Sequence, residues 1–143
     1  MFFFQFEGIA EDVLSRNGFE LLKKWFYDTA VVKIPDDDIA IFVAEFAKPG
    51  ALTAGLNWYR ANVPPQGLLS SERVELPPVA CPVMLVWALD DAYLTYELGR
   101  RAGAFVTGPF VLQTLPDTGH WLMQERPDEL NELLLTFLGT RFA

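Results

Sequence analysis

The sequence predicts an α/β fold, a helical segment followed by two parallel strands with their helices, and three observations carry it. Residues 1–63 show helix grammar only. Two short apolar runs then appear, each closed by turn residues and followed by an amphipathic stretch. Between the two halves, proline density rises sharply over residues 64–82. The domain reading is therefore a helical segment at 1–63, a Pro-rich linker at 64–82 and a β-α-β-α part at 83–143.

Each element has a local cause. Gly8 to Arg16 reads as a short helix that ends at Asn17-Gly18, and Phe19 to Tyr27 as a second. Pro35 with Asp36 to Asp38 forms an acidic first turn, which the helix dipole favours, for a third helix running to about Ala47. Lys48-Pro49-Gly50 stops it. From Ala51 to Val63 the apolar positions Leu52, Leu56, Tyr59 and Val63 share one helical face, so Tyr59 is expected to look inward. Pro64, Pro65, Pro77, Pro78 and Pro82, with Gly67 and Ser70-Ser71 among them, mark the linker. Val83 to Trp87 (VMLVW) is a continuous apolar run, the pattern of a parallel strand buried on both faces. A helix from about Thr95 to Phe105 leads to a second strand at Phe110 to Leu115. The last helix starts near Pro127 and carries Leu130, Leu133, Leu134, Phe137 and Leu138 on one face. The crossover between the strands makes them parallel.

Composition narrows the function classes. Of the 143 residues 51% are hydrophobic and 14% aromatic, which excludes disorder and is rich for so short a chain. The excess implies surfaces meant to be covered by a partner, a ligand or further chain. A net charge of −8, acidic in both halves, argues against nucleic acid and against an anionic membrane surface as partners. The longest stretch without charged side chains, Ala102 to Pro116, holds two glycines and two prolines and falls short of the roughly 20 residues of a spanning helix. MFFFQFEGIA lacks a basic n-region and is a poor signal peptide. The single Cys81, between Ala80 and Pro82, reads as a buried small hydrophobe, and a reducing, cytoplasmic location is expected.

Chemistry in an open α/β sheet gathers beyond the carboxyl ends of the strands. Asp90-Asp91 follows the first strand, and His120 follows the second. One strand-helix-strand unit separates them, so they would project from adjacent strand ends and can meet. An aspartate that orients an imidazole is the base half of a nucleophile-histidine-acid triad, and His120 is the only histidine. Taken singly, the histidine reads equally as a loop residue and the aspartates as helix caps. Their joint placement favours chemistry.

These residues resemble a known family. WALDDAYL and PDTGHWLMQERPDELNELLLTFL are similar to the C-terminal end of α/β-hydrolases, in the branch that holds epoxide hydrolases and haloalkane or haloacetate dehalogenases. There a strand ends in W-G-x-x-D, whose Asp is the triad acid, and G-H supplies the base. Counted from Trp87 the acid falls on Asp91 and the base on His120; Ala88 stands at the usual Gly, which leaves Asp90 open beside Asp91. FFQFEGIAEDVL resembles the start of an epoxide hydrolase cap domain and KPGALTAGLNWYRAN its end. The resemblance runs from Phe3 to Leu138. It implies an α/β-hydrolase fold fragment, a helical cap followed by the last two parallel strands and helices of the sheet.

In such enzymes the Tyr of N-W-Y-R donates a hydrogen bond to the epoxide oxygen, which maps onto Tyr59. The implied reaction is attack of an Asp on an epoxide carbon, followed by hydrolysis of the ester by a water that His120 activates with Asp91 behind it. It needs no metal and no organic cofactor. Phe2, Phe3, Phe4, Phe6, Trp58 and Trp121 are the candidate apolar walls for a small apolar, epoxide-like substrate, or else plain core. A nucleophile elbow, G-x-(S/D/C)-x-G, does not occur in the sequence; Gly99 and Gly103 have the spacing, but Arg101 is their centre. By family pattern the cap's first catalytic Tyr would stand just before Met1. The expectation is thus the C-terminal half of a hydrolase, with the nucleophile supplied by a missing N-terminal half, and inactive alone or self-associating as a homo-oligomer. The alternatives are haloalkane or haloacetate dehalogenase or ester chemistry on the same fold, or a truncated interaction fragment that catalyses nothing. Tyr59 argues against a dehalogenase.

Overall fold

A computed structural model describes residues 2–63, 65 and 76–140. Most of the expected linker, with Pro64, Gly67 and Ser70-Ser71, lies outside the described residues. The chain divides into two compact units, Met1–Phe26 with Pro35–Val74, and Tyr27–Ile34 with Glu75–Ala143.

The first unit is helical. A 3-10 turn at Phe2–Gln5 leads into α1 (Ile9–Thr29), whose last residues, from Tyr27, belong to the second unit. Helical dihedrals fail from Arg16 to Phe19, where Asn17, Gly18 and Phe19 have φ of 52°, 65° and 64°. The Asn-Gly pair expected to end the first helix therefore does break it, because these two residues tolerate left-handed backbone best. Phe19 adopts the same disfavoured conformation and is held there by burial of its side chain. Helix α2 is Asp36–Phe46 and α3 is Ala51–Asn62, each within a residue of its expected bounds. Ala10, Leu14, Phe19, Leu22, Phe26, Ile39, Leu52 and Leu56 are the buried apolar residues of this unit. Phe26 stacks on Phe42 at 5.3 Å. Leu52 and Leu56 are buried and Tyr59 and Val63 half-buried, so the α3 stripe does face inward. No single helix among the described residues is long and apolar enough to cross a membrane; α2 and α3 pass that test only together, across an 84° bend.

The second unit holds the sheet. Strands β1 (Val83–Ala88) and β2 (Phe110–Leu115) pair in parallel, Val83 with Phe110 through Ala88 with Leu115. Helix α4 (Tyr96–Ala102) and a 3-10 turn (Gly103–Phe105) make the crossover, followed beyond β2 by α5 (Leu122–Glu125) and α6 (Pro127–Gly139). Pro127 opens α6 at its first turn, where a missing N–H costs nothing.

Three expectations need correction. β1 is half-exposed rather than buried on both faces, with only Ala88 fully covered, because the described sheet has one partner strand on one edge. Cys81 is exposed, in the bend between β1 and a parallel bridge that joins Val79 to Val106. That bridge puts the tail of the expected linker under sheet hydrogen bonds, Val79 N–H to Phe105 O and Thr107 N–H to Val79 O, each 2.8 Å. Along α6 the apolar residues do share a face, with Leu130, Leu133 and Phe137 half-buried and Leu134 and Leu138 exposed.

Candidate active site

The β1–β2 register brings the two strand ends level, Ala88 beside Leu115. Backbone bonds carry the pairing past the strands: Leu89 N–H donates to Leu115 O, and Asp90 N–H to Thr118 O, both at 3.0 Å. The turn Pro116 to Gly119 is tied by Thr118, whose fully buried hydroxyl donates to Pro116 O at 2.9 Å. Two neighbouring loops are thus held at fixed height, one ending at Asp91 and the other at His120.

They meet. His120 Nδ1 lies 2.9 Å from Asp91 Oδ2 and 3.1 Å from Oδ1. Of the two aspartates, Asp91 is the one that contacts His120, whereas Asp90 is exposed and engages the neighbouring loop through its N–H. Asp91 Oδ1 also accepts the N–H groups of Tyr93 at 2.8 Å and Leu94 at 3.1 Å, so the aspartate is a turn-former as well as the histidine's partner. It does not cap α4, whose N-cap is Thr95.

Electrostatics follow from this geometry. The Asp91 side chain is 10% exposed, and that burial is the largest single influence on its carboxyl, pushing its pKa up. The His120 hydrogen bond, the two backbone N–H groups and the imidazole's charge together outweigh it and hold the carboxyl below its ordinary value. At neutral pH Asp91 is an anion facing Nδ1. With Nδ1 so engaged, Nε2 is the ring nitrogen that does not face Asp91, on a side chain that is 31% exposed. The ring is bracketed edge-to-face by Tyr93 at 4.9 Å and Trp121 at 5.2 Å. Trp121 is itself fixed by its indole N–H, which donates to Thr29 Oγ1 at 2.8 Å.

The other sequence-selected residues belong to the helical unit. Tyr59 contacts Phe4 at 4.9 Å and Trp58 at 5.1 Å between ring centres, and Phe4 in turn contacts Phe3 and Trp25. Phe3 and Phe4 are half-buried, while Phe2, Phe6 and Trp58 are exposed, Trp58 by 60%. Arg60 Nε donates to Phe4 O at 2.8 Å, which fixes the Phe4 backbone to the helix that carries Tyr59. Among the described residues no cluster of three or more His, Cys, Asp or Glu side chains is placed to hold a metal ion.

Sequence reasoning missed Glu125. It is 5% exposed, and its carboxylate accepts backbone N–H groups on both sides of His120, as well as two from residues 31–32. The signal was a lone acidic residue five positions after the histidine, but its partners are distant in sequence.

Comparison with known proteins now adds to this geometry. A family profile, the alpha/beta hydrolase family, matches residues 3–133. The chain is 30% identical to human epoxide hydrolase 4 over 143 residues, covering 96% of this chain and 38% of that protein. It is 32% identical to epoxide hydrolase 3 of Xenopus tropicalis over 148 residues, covering 99% and 39% respectively. Among solved structures, an epoxide hydrolase from Bacillus megaterium in complex with an inhibitor superposes with a TM-score of 0.74 at 21% identity, covering 96% of this chain and 49% of that one. That likeness shows the α/β-hydrolase fold. The chain spans about two-fifths of the length of the curated relatives it matches. With the profile covering most of its residues, the chain belongs to the alpha/beta hydrolase family.

Proposed function

We propose that this chain carries the acid–base half of an epoxide hydrolase. His120 is the base that activates water, Asp91 the acid that orients it, and Tyr59 a hydrogen-bond donor to the epoxide oxygen. The observation that carries the reading is the His120–Asp91 contact, 2.9 Å and 3.1 Å from Nδ1 to the two carboxylate oxygens, at the ends of adjacent parallel strands. The epoxide hydrolases among its relatives support the substrate class.

In this reading a carboxylate nucleophile outside residues 1–143 attacks an epoxide carbon. The C–O bond opens, and the alkoxide takes a proton from a tyrosine such as Tyr59. His120 then removes a proton from water as the water oxygen attacks the ester carbonyl; the ester C–O bond breaks, the departing alkoxide takes the proton of the new carboxyl group to give the diol and the free carboxylate, and the imidazolium returns its proton through solvent to the tyrosinate. Asp91 stabilises the imidazolium formed in that step. Trp121 beside the imidazole and, separately, Phe3, Phe4 and Trp58 of the helical unit are each proposed as apolar contacts of a small substrate.

The test uses the chain alone and the chain co-expressed with the part of human epoxide hydrolase 4 that it does not match. With an aryl epoxide, the chain alone is expected to give no diol. The complemented pair is expected to give diol, and a His120→Ala pair to accumulate the alkyl-enzyme ester, visible as an added mass on the nucleophile's half. Diol formation that survives His120→Ala contradicts the proposal.

A further inference from the structure

Glu125 is a nearly buried carboxylate that the chemistry above does not use. Its Oε2 accepts the N–H groups of Val31, Val32 and Gly119, each at 2.9 Å, and its Oε1 accepts that of Trp121 at 3.1 Å. All four partners are peptide groups. The adjacent Arg126 turns away from it, donating to Asp117 O and facing Glu129. A buried carboxylate without a cationic partner is costly and persists only where its lone pairs are filled. Here the filling groups are two from the backbone of residues 31–32 and two from the loop that carries the imidazole.

Gly119 and Trp121 are the residues on either side of His120. A Cβ on Gly119 would stand 2.8 Å from Glu125 Oε1, 2.6 Å from Thr29 O and 3.0 Å from Val31 N, so the approach of loop to carboxylate leaves no room for a side chain. The same segment, through Thr29 Oγ1, fixes Trp121, which borders the imidazole. Residues 29–32 and the His120 loop are thus stapled at one point, by charge-assisted bonds that are stronger than neutral ones.

We propose that Glu125 is a positioning residue for His120: its carboxylate clamps the peptide N–H groups on both sides of the imidazole to the backbone of residues 31–32, and so presents Nδ1 to Asp91. The proposal rests on the reading of the His120–Asp91 pair as the base of the reaction, and its test is chosen to separate the two.

Because His120 is the only histidine, long-range 1H–15N spectra of the full chain report its tautomer without ambiguity. In the wild type, Nδ1–H is the expected form. Glu125→Gln puts an amide NH2 against one of the donors, and predominance of Nδ1–H is expected to be lost while the amide signals of β1 and β2 stay in place. Unchanged Nδ1–H predominance in folded Glu125→Gln overturns the proposal. Glu125→Asp keeps the charge but draws it back by one carbon, so it cannot reach both lobes; the same loss is expected there, and an unchanged tautomer again overturns it. In the wild type itself, the Gly119 and Trp121 amides are expected to exchange at least about 100-fold more slowly than unprotected ones. Exchange at the unprotected rate also overturns it. A wild type without Nδ1–H predominance defeats the reading of the His120–Asp91 pair; a wild type with it, retained in Glu125→Gln and lost in Asp91→Asn, defeats only the role of Glu125.

Discussion

The guanidinium of Arg60 grips both carboxylate oxygens of Glu11, Nη1 to Oε1 at 2.7 Å and Nη2 to Oε2 at 3.0 Å, and joins α3 to the start of α1. The side chains are 11% and 19% exposed, so this is a half-sheltered pair rather than a surface one. It sits one residue after Tyr59. The Arg60 hydrogen bond is the main reason that the Glu11 pKa is lowered to about 2, against the opposing effect of burial. A depressed carboxyl contributes stability above its unfolded value of 4.5, and that contribution is lost as pH falls toward 2. Arg60→Met is expected to destabilise by about 2–4 kcal/mol near neutrality, since it leaves a sheltered charge unpaired. It is also expected to flatten the loss of stability between pH 4.5 and about 2. Glu97, held to about 2 first by Arg100 and then by Arg101, keeps its own part of that slope in both proteins. Urea unfolding across this pH range measures both effects.

Close approach rather than left-handed backbone fixes Gly119. Backbone and carboxylate atoms stand within 3.0 Å of any added Cβ, and none of the backbone atoms can swing away. Gly119→Ala is expected to cost about 1–3 kcal/mol, as overpacked sites do, and to weaken the indole bond of Trp121 to Thr29. Denaturant unfolding gives the first, and the indole N–H chemical shift the second. An alanine variant with wild-type stability would show that the loop is looser than its contacts imply.

Leu135 and Leu138 are 72% and 76% exposed on α6, and the described sheet has two strands, each with an unpaired outer edge. Large exposed aliphatics and open edges drive association. The chain is expected to self-associate as its concentration rises, and Leu135→Glu with Leu138→Glu to reduce that association. Sedimentation velocity over a concentration series checks it; a monomer at all concentrations argues that these surfaces are benign.

Local signals made much of the fold legible. The Asn17-Gly18 break, the acidic start of α2 at Asp36, both strands and Pro127 at the head of α6 each have a cause within a few residues, and each appears where the sequence places it. The meeting of Asp91 and His120 was legible too, since one parallel crossover fixes both strand ends. What escaped depends on distant partners. Nothing near Glu125 announces that Val31 and Val32 will supply its donors, and nothing near Val79 announces Val106. Cys81 was misjudged because an apolar side chain states only a preference for burial, and whether a neighbour covers it is decided by the rest of the fold.

The most direct test of the account is the tautomer of His120 at neutral pH, read from long-range 1H–15N correlations in the wild type and in Asp91→Asn. The 2.9 Å contact of Nδ1 with a deprotonated Asp91 predicts a ring that carries its proton on Nδ1 when neutral, and a loss of that form in Asp91→Asn. A wild-type histidine protonated mainly on Nε2, and unaltered by Asp91→Asn, would contradict the pairing on which the proposed chemistry stands.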